Sequence, residues 1–227
     1  MARFTRRLLR LALALAVAAP VALFLLIAAW SVAPPVSTLM LARYATGKRV
    51  ERTYVPLERI APALTAAVIM SEDGRFCRHS GVDWDALNQV LEDAEEDGPS
   101  RGASTIAMQT AKNLFLWPSR SVVRKGLEIP LALALDLAWT KRRLIEVYLN
   151  IAEWGPDGVF GAEAAARAAF GKSAASLSVR EAALMATALP NPLKRFPGRP
   201  RAGHARLAER IGARVAQSGP WLDCLRN

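Results

Sequence analysis

The sequence predicts a mostly α-helical domain behind one N-terminal transmembrane helix. Three observations predict it. Residues 11–32 read LALALAVAAPVALFLLIAAWSV, without a single charge. From residue 58 onward, apolar residues recur at three- and four-residue steps, the period of an amphipathic helix. No stretch alternates convincingly as a half-buried strand would.

The N-terminal elements come first. MARFTRRLLR places Arg3, Arg6, Arg7 and Arg10 ahead of the apolar run. A helix spanning a bilayer needs about 20 apolar residues, so this run suffices. Pro20 is compatible with it, because membrane helices accept proline better than soluble ones do. Arginines before the run and none just after it predict a cytoplasmic N-terminus and a body outside, in the periplasm. A cleaved signal peptide is the competing reading, with Ser31–Ala33 as the cleavage site. The apolar run exceeds the usual length of a signal core, however, and Pro34 and Pro35 follow at once. The expected organisation is a basic tail 1–10, an anchor 11–32, a juxtamembrane linker 33–54 that opens with a short helix, and a single body 55–227. That body is within ordinary domain size.

Composition narrows the partners. The net charge is +10. A tethered, exported body meets little nucleic acid, so the surplus points to an anionic membrane surface or a phosphate-bearing substrate. Cys77 and Cys224 are the two cysteines. Export permits a disulfide, but connectivity is not visible in sequence, and two separate small apolar residues is the plainer reading. His79 and His204 are the only histidines, and no Cys/His spacing suits zinc.

Periodicity places helices at 60–71, 83–95, 104–115, 121–139, 141–151, 161–170, 178–189 and 202–218. Two polar, glycine- and proline-bearing stretches, DAEEDGPSRG at 93–102 and NPLKRFPGRP at 191–200, break the pattern. Pro130 lies in an otherwise helical run, where it should kink the helix or mark a first turn.

The candidate chemistry sits at the ends of these helices. Glu72 closes an apolar helix and opens SEDGRFCRHSG. The electronegative C-terminus and partial burial would raise its pKa, which suits a general base. A carboxylate in a solvated turn is the plainer alternative. Asp73 suits a cap, and His79 a hydrogen bond that fixes the turn. In RGASTIAMQTAKN, Ser104 is a good N-cap. Thr105, Gln109 and Lys112 follow at i, i+4 and i+7 and would share one face. An apolar core stripe does not want those residues, but a substrate groove does; a solvated face is the alternative. Farther on, Arg120, Arg124 and Lys125 crowd around Glu128. A simple i, i+4 pair explains part of this, and a phosphate or pyrophosphate would account for the surplus cations. Gly155, Gly158 and Gly161 do not form a dinucleotide fingerprint and read as a tight, irregular loop.

Taken in order, EDGRFCRHSG, GASTIAMQTAKN, RKGLE, KRRLIEVYLNIAEWGPDGVFGAEAAARAAFGK and REAALMATALPNP resemble the five motifs of the peptidoglycan glycosyltransferases, glycosyltransferase family 51. The resemblance covers roughly residues 55–197. With no second domain of transpeptidase length after Pro200, it is to the monofunctional members. It implies a lysozyme-like helical fold with a membrane-associated lobe at the outer face of the inner membrane. It implies polymerisation of lipid II into β-1,4-linked glycan strands, with inversion and loss of undecaprenyl pyrophosphate. It makes Glu72 the catalytic base and Glu128 the second catalytic glutamate, which would help hold a divalent cation, Mg²⁺ or Mn²⁺. It assigns Lys112, Arg120 and Arg124 to the pyrophosphate, and Ser104, Thr105, Gln109 and Asn113 to the groove wall. Phe76 and His79 fit the scaffold of the first motif. Met108 departs from the family pattern, which often has a second glutamine there. The implied partners are lipid II, the growing strand and membrane lipid, with room for other cell-wall synthases or divisome proteins.

Two other functions fit parts of this pattern. A lytic transglycosylase or muramidase would share the fold and a glutamate, but it expels a sugar hydroxyl and does not need clustered cations. A non-catalytic, membrane-tethered scaffold would need neither glutamate.

Overall fold

A computed structural model describes residues 2–97, 104–119 and 121–226, without the side chains of residues 2, 3, 5, 8, 11, 12, 15, 91 and 94–97. It divides into two compact units, Met1–Pro34 and Pro35–Asn227. The first is one helix, α1 (Ala2–Trp30), with Pro20 inside it. Among the described residues, no helix is long and apolar enough to cross a membrane.

The second unit is mostly helical, as expected. It begins with α2 (Thr38–Ala45), whose N-cap Ser37 accepts from the Met40 N–H. Strand β1 (Glu51–Arg52) and a 3₁₀ turn at Leu57–Arg59 lead to α3 (Pro62–Glu72). Much of the stretch expected to be a linker therefore belongs to this unit. Helix α3 starts on a proline, whose missing N–H is no loss there. It buries every residue from Leu64 to Met70. A helix apolar on all sides has no solvent face to offer, so it becomes the central element. It packs against α9 (Val179–Ala188) and α10 (Ala202–Ala216).

A 3₁₀ turn at Phe76–Arg78 and α4 (Trp84–Asp97) follow, then α5 (Ile106–Phe115), α6 (Val122–Ala138) and α7 (Lys141–Ile151). Helix α5 packs on both α6 and α7. Ser121, Thr140 and Ser178 each cap the helix that follows them, Ser178 in a reciprocal capping box with Glu181. Pro130 lies inside α6. One face of α6 carries exposed Val123, Leu127 and Leu137, the last 91% accessible.

The absence of strands is corrected. A small sheet has the order β1–β3–β2, with β2 at Glu153–Gly155 and β3 at Val159–Phe160. β1 runs parallel to β3, and β2 antiparallel to it. Strands of two and three residues are too short to show a period of two. The glycine-rich loop is the turn between β2 and β3. Gly158 is needed there: its φ is +79°, and a Cβ would lie 2.2 Å from the Arg49 carbonyl oxygen. Helix α8 (Ala162–Phe170) completes the unit, ending on left-handed Gly171.

Cys77 and Cys224 form a disulfide. It joins the turn after α3 to the C-terminal tail, so the pairing left open by the sequence is formed. Arg78 adds a hydrogen bond to the Pro220 carbonyl at 2.9 Å, and Arg142 one to the Leu225 carbonyl at 2.6 Å.

Candidate active site

Glu72 is the last residue of α3, and Asp73 caps it. Glu72 Oε2 accepts from Gln109 Nε2 at 3.2 Å, and Oε1 from Ser71 Oγ at 3.2 Å. Burial raises its pKa, opposed by those two donors and by the nearby Lys112 charge. The result is a carboxyl group that binds its proton more tightly than an exposed glutamate.

The turn after Glu72 is locked by Asp73. Its Oδ1 meets His79 Nε2 at 2.8 Å, and its Oδ2 accepts the Ile106 N–H at 2.9 Å. Asp73 thus ties the end of α3 to the start of α5, where a carboxylate also complements the helix dipole. His79 is buried in this pair, a structural role. Phe76 is fully buried, with Lys141 Nζ 4.8 Å from its ring centroid. Gly81 closes the segment at φ +78°; a Cβ would lie 2.7 Å from the Ala132 carbonyl oxygen.

Helix α5 carries the groove residues. Its N-cap is Thr105, not Ser104. Thr105 is buried, donating to the Gly81 carbonyl at 2.6 Å and accepting from the Met108 N–H at 3.2 Å. Its side chain is committed to structure, so the polar stripe narrows to Gln109, Lys112 and Asn113. Met108 is fully buried in the core. Ser104 Oγ accepts from Lys125 Nζ.

Gln109, Lys112, Asn113 and Arg124 line one cavity of 620 Å³ together with Tyr148 and Glu153. Glu72 is not in its wall and meets it through Gln109. Tyr148 lies deep in the core and donates to Gln109 Oε1 at 2.9 Å. With its oxygen so engaged, the Gln109 amide must turn its nitrogen to Glu72. Nothing in the sequence identifies this partner on another helix. Burial lowers the pKa of Lys112, and the Glu128 charge opposes that shift.

Glu128 is buried, with Arg124 on Oε1 and Lys125 Nζ on Oε2 at 3.0 Å. Arg124 also donates to the Ser119 carbonyl at 2.6 Å. Lys125 is therefore a second clamp on Glu128. Both carboxylate oxygens face cations, and no group of three His, Cys, Asp or Glu side chains able to hold a metal occurs among the described residues. This donor set does not fit a protein-held divalent cation. Arg120 lies outside the described residues.

The family model described as Transglycosylase matches residues 38–216. The chain belongs to the transglycosylase family. Among relatives, a protein named biosynthetic peptidoglycan transglycosylase from Rhodopseudomonas palustris (strain HaA2) is 55% identical over 225 residues, 97% of this chain and 97% of its own. One of the same name from Brucella suis biovar 1 (strain 1330) is 55% identical over 192 residues, 85% of each chain. In this transglycosylase, the matched region holds Glu72, Glu128 and the whole cavity wall apart from Ser37.

Proposed function

We propose that the chain is a peptidoglycan glycosyltransferase that polymerises lipid II, with Glu72 as its general base. The observation that carries this reading is the pairing of a proton-retaining carboxyl, hydrogen-bonded to Gln109 of the cavity wall, with Lys112 and Arg124 in that same wall. Glu72 takes the proton from the 4-hydroxyl of the acceptor N-acetylglucosamine. That oxygen attacks C1 of the lipid-linked N-acetylmuramic acid at the reducing end of the growing strand. The new C1–O bond forms as the C1–pyrophosphate bond breaks, and the anomeric centre inverts. Lys112 and Arg124 take up the charge that grows on the leaving undecaprenyl pyrophosphate. Glu128 holds Arg124 in place rather than touching substrate. A divalent cation would arrive on the pyrophosphate.

The same reading makes residues 11–32 a membrane anchor with the N-terminus in the cytoplasm and the body in the periplasm. It rests on the uncharged run and the arginines before it. The exposed Val123, Leu127 and Leu137 support a second apolar approach to the bilayer, where the substrate's lipid tail would lie.

Full-length protein in detergent, given lipid II and analysed for product size, is expected to yield polymer. Shortened strands from preformed glycan with no polymer from lipid II would move the reading to a lytic enzyme. No change in either would leave a scaffold.

A further inference from the structure

The cavity that holds Lys112 and Arg124 also has a carboxylate that the proposed reaction does not use. Glu153 lies in the same wall. It is the first residue of β2, whose pairing with β3 slips between Glu153 and Gly155. A slip of this kind re-aims side chains beside a site. Successive residues of a strand point to opposite faces. Trp154 is accordingly buried and absent from the cavity wall, whereas Glu153 and Phe160, its partner across the strands, both line it.

Glu153 lacks a hydrogen-bond donor. Its side chain is only 20% exposed, yet among the described residues no N–H or O–H donates to it. The cation facing it is Arg43 of α2, with Nη1 at 3.7 Å from Oε1, beyond hydrogen-bond distance. Arg43 is held at that distance. Its Nε donates to the Arg49 carbonyl at 2.9 Å, and the guanidinium lies against Gly158, where a Cβ would stand 2.6 Å from Nε. A pair that served only to tie α2 to the sheet would close up, as Arg142 does on Glu58 at 2.6 Å and Arg75 on Asp85 at 2.9 Å.

Burial raises the Glu153 pKa, and the Arg43 charge opposes that shift without help from any hydrogen bond. Arg43 thus supplies the counter-charge but not the donor. What completes this carboxylate is a neutral O–H or N–H, not a second cation. Lys112 and Arg124 share the wall, yet neither is among the charges that act on Glu153. The carboxylate is therefore set apart from the place of the pyrophosphate. Phe160, Leu189 and Pro190 surround it in the wall with apolar surface. A sugar ring matches that combination, with C–H faces for the apolar surface and hydroxyl and acetamido donors at its rim.

We propose that Glu153 binds the sugar of the lipid-linked donor, its carboxylate accepting from a hydroxyl or acetamido N–H of the ring whose pyrophosphate lies at Lys112 and Arg124. This rests on the polymerase reading above and adds a residue to it. Glu153 moves no proton; it holds the ring so that C1 faces the attacking oxygen.

Initial rates of polymerisation by the full chain in detergent, over a series of lipid II concentrations, test this. In Glu153→Ala, KM should rise about tenfold, the effect of one lost hydrogen bond to a charged acceptor, with kcat within about twofold of wild type. Arg43→Lys keeps the counter-charge and should leave KM within about twofold. An unchanged KM in Glu153→Ala would overturn the proposal. So would an equal rise in Arg43→Lys, which would make the pair a structural tie. Calorimetric titration with chitotetraose, a neutral β-1,4-linked sugar without lipid or pyrophosphate, separates this site from the polymerase reading. It should bind Glu153→Ala about tenfold more weakly than wild type. That result with no polymer from wild type would sink the polymerase reading and leave the sugar site standing. Equal affinity, or none, in the two proteins would overturn the sugar site. A Gly-Gly-Lys peptide whose binding alone weakens in Glu153→Ala would reassign the carboxylate to an ammonium group.

Discussion

Tyr148 donates to Gln109 Oε1 at 2.9 Å, and that bond decides which end of the Gln109 amide faces Glu72. The Gln109 nitrogen then reaches Glu72 Oε2 at 3.2 Å. A buried hydroxyl on α7 thereby sets the hydrogen bonding of a carboxyl on α3 through a side chain on α5. Tyr148→Phe should keep the ring in the core but free the amide to turn. Polymerisation should fall about tenfold, the scale of one buried hydrogen bond left unmade. The acid limb of its pH profile should move to higher pH, because Glu72 loses a donor that favours its ionised form. An unmoved limb would show that Tyr148 only fills space.

The raised pKa of Glu72 has two consequences of opposite sign. A base must be ionised to act, so the rate should rise with pH through a value above that of an ordinary glutamate, about 4.3. In stability the direction reverses. The folded chain binds this proton more tightly than the unfolded chain, so this group's contribution falls as pH rises from the unfolded value through the folded one. Glu72→Gln should therefore melt at a higher temperature than wild type at pH 7. Equal or lower melting would mean that burial does not govern this carboxyl.

Glu128 sits under two cations and one of them, Arg124, lines the cavity. In Glu128→Gln, both cations lose their charged partner. Thermal stability should drop by about 1–3 kcal/mol, and polymerisation by more than tenfold as Arg124 leaves its place. Titrating Mg²⁺ should show the same half-saturation in variant and wild type if the cation travels on the substrate.

The disulfide between Cys77 and Cys224 closes a separation of 147 residues and lands five residues past Glu72. Its removal in the Cys77→Ser/Cys224→Ser double variant should cost about 2–4 kcal/mol. Melting with and without reductant measures this in wild type; an unchanged melting temperature in both experiments would contradict it.

Much of this arrangement was legible in the chain. The helices fall within about two residues of their expected bounds because apolar periodicity and hydroxyl caps agree at Ser121, Thr140 and Ser178. Glu72 and Glu128 stood out because charges ending or crowding an apolar helix are costly without a use. Thr105 was misread for a local reason. The i, i+4, i+7 rule presumes helical geometry, but Thr105 is the cap, with an extended backbone that turns its hydroxyl inward. The sheet was missed because its strands are so short. The Tyr148 link depends on residues brought together from separate helices, which no one-dimensional period reports.

The proposed reaction turns on deprotonation by Glu72. Lipid II polymerisation by wild type and Glu72→Gln, side by side in detergent with Mg²⁺ and with products separated by size, tests it most directly. Polymer from wild type alone, with Glu72→Gln folded and at least as stable at pH 7, is the predicted result. Equal polymer from both would remove Glu72 from the chemistry and require another base in the cleft.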